Sequence, residues 1–146
     1  MDTVAVILKE KGTAVHTIDG HATVHDAAVR MSEWRIGALL VCENDAPVGI
    51  FTERDLLKRV VLPRLDPGTV TVGEVMTRDP VCIELDQRVK ETMAIMTERR
   101  TRHLPVVEGG KVVGIISIGD VVRFLSRSQE FEIHRLTEYI LGTYPA

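Results

Sequence analysis

The chain has 146 residues, 45% hydrophobic and 27% charged, with a formal net charge of −3 at pH 7. A chain of this length buries roughly 68–70% of its unfolded surface, enough for a hydrophobic core, and the composition excludes a disordered or fibrous class. The weak acidic balance offers no footprint for nucleic acid or an anionic membrane. Apolar runs such as Val4 to Leu8 are far too short to span a bilayer, and an N-terminus bearing Asp2 without a basic flank is not a signal peptide. Cys42 and Cys82 lie 40 residues apart without C-x-x-C spacing, which argues against a disulfide framework or a zinc site and for a reduced, cytoplasmic setting.

In chain order, the stretch near Ala14 to Ile18 predicts a short strand. Val24, Ala27, Ala28 and Met31 follow at i, i+3, i+4 and i+7, one apolar stripe of an amphipathic helix. Two runs with strand character come next, Ala38 to Cys42 and Val48 to Thr52, joined by the turn-forming Glu43-Asn44-Asp45-Ala46-Pro47. The second strand leads straight into a helix with the stripe Leu56, Leu57, Val60 and Val61. Pro63 and Asp66-Pro67-Gly68 punctuate a linker.

The series then repeats. An opening strand at Val81 to Leu85 matches the first with one residue gained or lost. The helical stripe returns as Val89, Thr92, Met93 and Met96, with Thr92 the polar exception. Strands at His103 to Val107 and Val112 to Ser117 flank Glu108-Gly109-Gly110-Lys111, whose paired glycines supply the positive φ angles of a tight hairpin. Val121, Val122 and Leu125 stripe the following helix. Beyond it, residues 129–141 carry Phe131, Leu136, Tyr139 and Ile140 among charges and predict one more amphipathic helix suited to a dimer contact, ended by Gly142 and Pro145.

The duplication is plainest in G-I-F-T-E-R-D-L at Gly49 to Leu56, which recurs as G-I-I-S-I-G-D-V at Gly114 to Val121, 65 positions on (117 − 52 = 65). The fold class expected is α/β (α+β), with β-α-β-β-α in each copy, since like units of this size must bury their apolar faces on one another. The organisation reads as a first copy over 1–62, a linker over 63–71, a second copy over 72–127 and a C-terminal helix and tail over 128–146.

Two readings compete for the repeated hydroxyl-x-x-carboxylate. In one, Thr52 and Ser117 are helix N-caps, and Asp55 and Asp120, three residues on, reach back to the cap backbone and suit the positive helix end. In the other, the same hydroxyl and free amides receive a phosphate oxygen, and the carboxylate, an acceptor only, takes two hydrogen bonds from a vicinal diol such as a ribose. No G-x-S-x-G, Walker loop or H-E-x-x-H is present, so no catalytic constellation is read and none of these residues is assigned to catalysis. His21 and His25, four apart, lack a third ligand and read as surface histidines.

V-x-x-V-M-T at Val72 to Thr77, R-H-L-P-V-V at Arg102 to Val107 and the doubled G-h-h-[ST]-x-x-D resemble a tandem pair of CBS domains, a Bateman module, over nearly the whole chain. The resemblance implies two copies packed through their sheets about a pseudo-twofold axis, a homodimer, and adenine nucleotides held in clefts between the copies. Carried over, Asp55 and Asp120 accept from ribose, with Thr52 and Ser117 beside them. Apolar base slots then fall near Val15 and Thr17, and near Val81 and Ile83. It implies phosphate contacts for Arg102 and His103, and the planar fork of Arg54 suits the same anion. The counterparts of Arg102 and His103 are Gly37 and Ala38, and Arg54 is answered by Gly119, so the two sites are expected to be unequal. The ligand expected is AMP first, with ADP, ATP or NAD(H) as alternatives; arginines would repel the sulfonium of S-adenosylmethionine. The expected role is a non-enzymatic regulatory sensor acting on an unidentified protein target. The competing role is a purely structural dimerisation module without nucleotide.

Overall fold

A computed structural model describes residues 2–44 and 46–127. Its elements are α1 (Val4–Lys11), β1 (Thr17–Asp19), α2 (Val24–Trp34), β2 (Ala38–Glu43), β3 (Ala46–Thr52), α3 (Glu53–Leu56), a π-helical turn (Leu57–Val61), α4 (Val72–Val75), β4 (Thr77–Arg78), α5 (Val89–Arg99), β5 (His103–Glu108), β6 (Lys111–Ser117) and α6 (Ile118–Ser126). They form two units, one of residues 15–80 and one of residues 2–14 and 81–127. The C-terminal helix expected over 129–141 lies outside the described residues.

In the first-copy unit, β1 runs parallel to β2, while β2, β3 and β4 are antiparallel in the order β1-β2-β3-β4. The α2 stripe (Val24, Ala27 and Met31) closes over Leu39, Val41 and Phe51, with Val60 and the lead-in residues Val72, Val75 and Met76 completing the core. Thr23 caps α2 by accepting from the Asp26 amide at 3.1 Å. In the second-copy unit, β5 and β6 pair antiparallel, and α5 lays Val89, Met93 and Met96 on Leu104, Val106 and Ile116. Thr92, the polar exception, is fully buried and donates from Oγ1 to the Arg88 carbonyl at 3.0 Å, which removes the cost of its hydroxyl. Gly109 and Gly110 take φ of 60° and 79°, as the hairpin requires.

The opening strands correct one expectation. Ile18 pairs with Val41 and Ile83 with Val106, both parallel and 65 apart (83 − 18 = 65), so no residue is gained or lost between copies. In the second copy the strand shrinks to that single bridge. The bulges repeat as well, between Val41 and Cys42 and between Val106 and Val107.

The helix after β3 departs from its stripe. From Leu57 it becomes π-helical, with the Leu62 amide bonded to the Leu57 carbonyl at 3.0 Å. The wider turn rotates the apolar positions apart, so that Val60 is buried whereas Leu57 and Val61 are more than half exposed.

The units do not follow the repeat boundaries read from the sequence. Residues 63–80 complete the first-copy unit, and the segment before residue 15 completes the second-copy unit. These two lead-ins are themselves a repeat. Thr3-Val4-x-x-Ile7-Leu8 matches Thr71-Val72-x-x-Val75-Met76 at a spacing of 68 (71 − 3 = 68). The Val4 amide bonds Gln87 O at 2.9 Å, and the Val72 amide bonds Ala22 O at 2.8 Å. The glycine of each G-h-h-[ST] motif receives its lead-in: a Cβ on Gly114 would lie 2.7 Å from the Leu8 methyls, and one on Gly49 would overlap Met76. Neither α1 nor α4 was expected as a helix.

Candidate functional site

Each copy turns from its last strand into a helix at the hydroxyl-x-x-carboxylate, and both turns form complete capping boxes. Thr52 Oγ1 accepts from the Asp55 amide at 3.2 Å, and Asp55 Oδ2 accepts from the Thr52 amide at 3.0 Å. Ser117 Oγ accepts from the Asp120 amide at 3.2 Å, and Asp120 Oδ2 accepts from the Ser117 amide at 2.8 Å. The first helical amide also finds the same partner in both copies, Glu53 N to Gly37 O at 3.0 Å and Ile118 N to Arg102 O at 2.8 Å. Both carboxylates are 6% exposed. A buried carboxylate needs partners beyond a cap amide, and here the copies part.

Asp55 is faced mainly by hydroxyls. Thr77 Oγ1 donates to Oδ1 at 3.1 Å, Thr52 Oγ1 donates to Oδ2 at 3.2 Å, and Arg59 Nε lies 3.7 Å from Oδ1. Arg59 also donates to the Met76 carbonyl at 2.8 Å.

Asp120 is faced by cations. Lys11 Nζ donates to Oδ2 at 2.6 Å and to the Ile115 carbonyl at 2.8 Å, while an Arg123 guanidinium nitrogen donates to Oδ1 at 2.7 Å. Burial alone would raise the Asp120 pKa. The Lys11 and Ser117 hydrogen bonds outweigh it and hold the carboxyl below its ordinary range. A cavity of about 200 Å³ opens beside this carboxylate, lined by Ile7, Glu10, Lys11, Asp120, Arg123, Phe124 and Arg127. Arg127 pairs with Glu10 at its edge, 2.8 Å apart.

His103, opposite Ser117 in the β5–β6 register, belongs to the same cluster. Burial, reinforced by the charge of Lys11 and by Arg102 and opposed by Asp120, lowers its pKa from 6.5 to about 4, so the ring is neutral at pH 7. The structure thus brings together Ser117, Asp120 and His103, with Arg102 half-buried beside them. Arg54 is half-buried in α3. Of the residues assigned to base slots, Ile83 is committed to the hydrophobic core, Val81 packs at its edge, Val15 is half-buried and Thr17 is exposed in β1. The Thr17 carbonyl accepts from Arg30 at 3.1 Å.

Sequence reasoning missed Lys11, Thr77, Arg59 and Arg123. The last two stand one helical turn after their carboxylates, a spacing that marks them as ion-pair partners. The T-V-x-x-h-h repeat would have pointed to the other two, since Lys11 and Thr77 follow the matching lead-ins.

Among the described residues no cluster of three or more His, Cys, Asp or Glu side chains is placed to hold a metal. His21 instead contacts Asp19, Nδ1 to Oδ1 at 3.1 Å, and lowers the pKa of that carboxyl. Trp34, the last residue of α2, is 44% exposed and stacks on His16 with centroids 4.2 Å apart. No helix among the described residues is long and apolar enough to cross a membrane.

Paired capping boxes at one repeat spacing, on two like α+β units, define a tandem repeat protein with a carboxylate site in each copy. The CBS domain family model matches residues 12–62 and 72–127, and the chain belongs to that family. It is 35% identical to the CBS domain-containing protein CBSX3, mitochondrial, of Arabidopsis thaliana, over 97% of this chain and 73% of that one. Other Arabidopsis relatives are longer chains, of which it spans 19% and 18%. Among solved structures it is similar to a protein with CBS domains from Burkholderia ambifaria MC40-6, with 45% identity, a TM-score of 0.82 and coverage of 90% of this chain and 98% of that one. It is also similar to a hexameric CBS-CP12 protein from bloom-forming cyanobacteria, with 30% identity, a TM-score of 0.74 and coverage of 94% and 81%.

Proposed function

We propose that this CBS pair is a regulatory, non-catalytic sensor that binds an adenine nucleotide, AMP before ADP, ATP or NAD(H). In this reading Asp120 and Asp55 accept from the ribose. The observation that carries it is the Asp120 cluster: a buried carboxylate beside a cavity of about 200 Å³, with Lys11, Arg123 and Arg127 lining the same opening. A diol acceptor and phosphate-binding cations at one opening match the two polar ends of a ribose phosphate. That volume is below the roughly 300–1,000 Å³ of a complete small-molecule pocket, so it suits the sugar phosphate and leaves the base to adjoining surface. The site around Asp55, faced by hydroxyls, is the weaker binder.

Signalling follows if the nucleotide favours one conformation over another, since equal binding to both shifts nothing. A protein target would read that conformation. Self-association belongs to the same reading, and the hexameric CBS-CP12 relative supports it.

The structural-module reading also has its observation, because both carboxylates return to the main chain of their own caps. Calorimetry and thermal unfolding with AMP, ADP, ATP, NAD+, NADH and S-adenosylmethionine decide between them. A ligand at 100 times its dissociation constant adds roughly 2.7 kcal/mol to stability, several degrees for a domain of this size. Asp120→Asn is expected to weaken AMP roughly 10- to 150-fold, and Asp55→Asn to do so less. No stabilisation by any nucleotide, with both variants merely less stable, establishes the module instead.

A further inference from the structure

A carboxylate offers about four hydrogen-bond acceptor positions. At least three of those on Asp120 are taken, by the Ser117 amide at 2.8 Å, Lys11 Nζ at 2.6 Å and Arg123 at 2.7 Å. A vicinal diol brings two donors, so one present partner must leave. The Ser117 amide is fixed in the cap, and a cation has to go. The cations are the movable members: the side chains of Lys11 and Arg123 are 32% and 67% exposed, against 5% for Asp120. A cation displaced from a buried acid needs another anion nearby, and a phosphate on the incoming ligand supplies one. Lys11 makes the shortest contact, and among the described residues its acceptors are Asp120 and the Ile115 carbonyl.

We propose that Lys11, seconded by Arg123, is the specificity-determining cation of this site. It sits on Asp120 without ligand, and it passes to the ligand's phosphate when sugar hydroxyls take the carboxylate. The ligand is then a nucleoside phosphate and not a neutral nucleoside. In the first copy the corresponding acid is faced mainly by the hydroxyls of Thr52 and Thr77, so this exchange belongs to the second copy alone. The inference rests on the nucleotide reading of Asp120.

The test is calorimetry of AMP and adenosine on the full chain, with Asp55→Asn throughout to silence the other site. Lys11→Met and Lys11→Arg are compared with the parent. The parent is expected to prefer AMP at least tenfold. Lys11→Met should lose roughly 10- to 150-fold in AMP affinity while adenosine binds as before or tighter, and Lys11→Arg should keep the preference. The ratio of the two affinities cancels any effect of the substitution on folding. A parent that binds both ligands equally, or a Lys11→Met variant with an unchanged ratio, overturns the role of Lys11 while the nucleotide reading stands. A parent that binds neither of these, nor ADP, ATP or NAD(H), overturns the nucleotide reading of Asp120 and this inference together.

Discussion

Two acids at equivalent positions keep different company, and the difference is chemical. Asp55 is satisfied largely by threonine hydroxyls, with Arg59 at 3.7 Å, and Asp120 by an ammonium and a guanidinium in direct contact, so the second copy carries the closer positive charge. The expected inequality of the copies therefore has a basis outside the motif, beyond the contrast of Arg102 and His103 with Gly37 and Ala38. His103 adds a pH response. The unfolded chain protonates it near 6.5 and the folded protein only near 4, so its contribution is complete above 6.5 and is lost as pH falls towards 4. Asp120, lowered in the folded state, contributes above its unfolded pKa and loses that contribution as the solution becomes still more acid. Urea unfolding at pH 7 and pH 4.5 should show a loss of order 2–3 kcal/mol attributable to His103. His103→Gln should remove most of that slope, and an unaltered slope would refute the assignment.

At the scale of elements, the lead-ins explain why each motif begins with glycine. Leu8 crowds the position that a Gly114 Cβ would take, and Met76 crowds that of Gly49. Gly114→Ala is expected to cost about 1–3 kcal/mol by overpacking. Combined with Leu8→Ala, it should cost less than the sum of the two changes. Chemical denaturation in a double-mutant cycle measures that coupling, and strict additivity would mean that Leu8 is not the obstacle. Stripes on α2 and α5 were legible because one face of each is buried and the period survives in the residues. The stripe after β3 was half legible, since a π-helical turn changes the angle between successive residues and nothing in Leu57-Lys58-Arg59-Val60-Val61 announces it. The alignment of the two opening strands was not legible for want of a pattern in so short a strand; Ile18 and Ile83 stand 65 apart, with no residue gained or lost.

For the whole molecule, the units cut the chain at places other than the repeat boundaries. A fragment of residues 1–62 lacks Val72, Val75 and Met76, which complete the first-copy core, while a fragment of residues 15–80 retains them. The 15–80 fragment should therefore unfold with the sharper, more cooperative transition by circular dichroism; the reverse order would contradict the division. The duplication, the order of elements, the Gly-Gly hairpin and the paired hydroxyl and carboxylate positions were determined by sequence alone. Each depends on local periodicity or on a spacing repeated within the chain. The partners of the carboxylates were decided only in three dimensions. Lys11 stands 109 residues from Asp120 and Thr77 stands 22 from Asp55, on lead-ins repeating at a different spacing from the motifs they serve. Contacts between segments so far apart are set by burial of each lead-in helix in the core of its own unit, which no local pattern records.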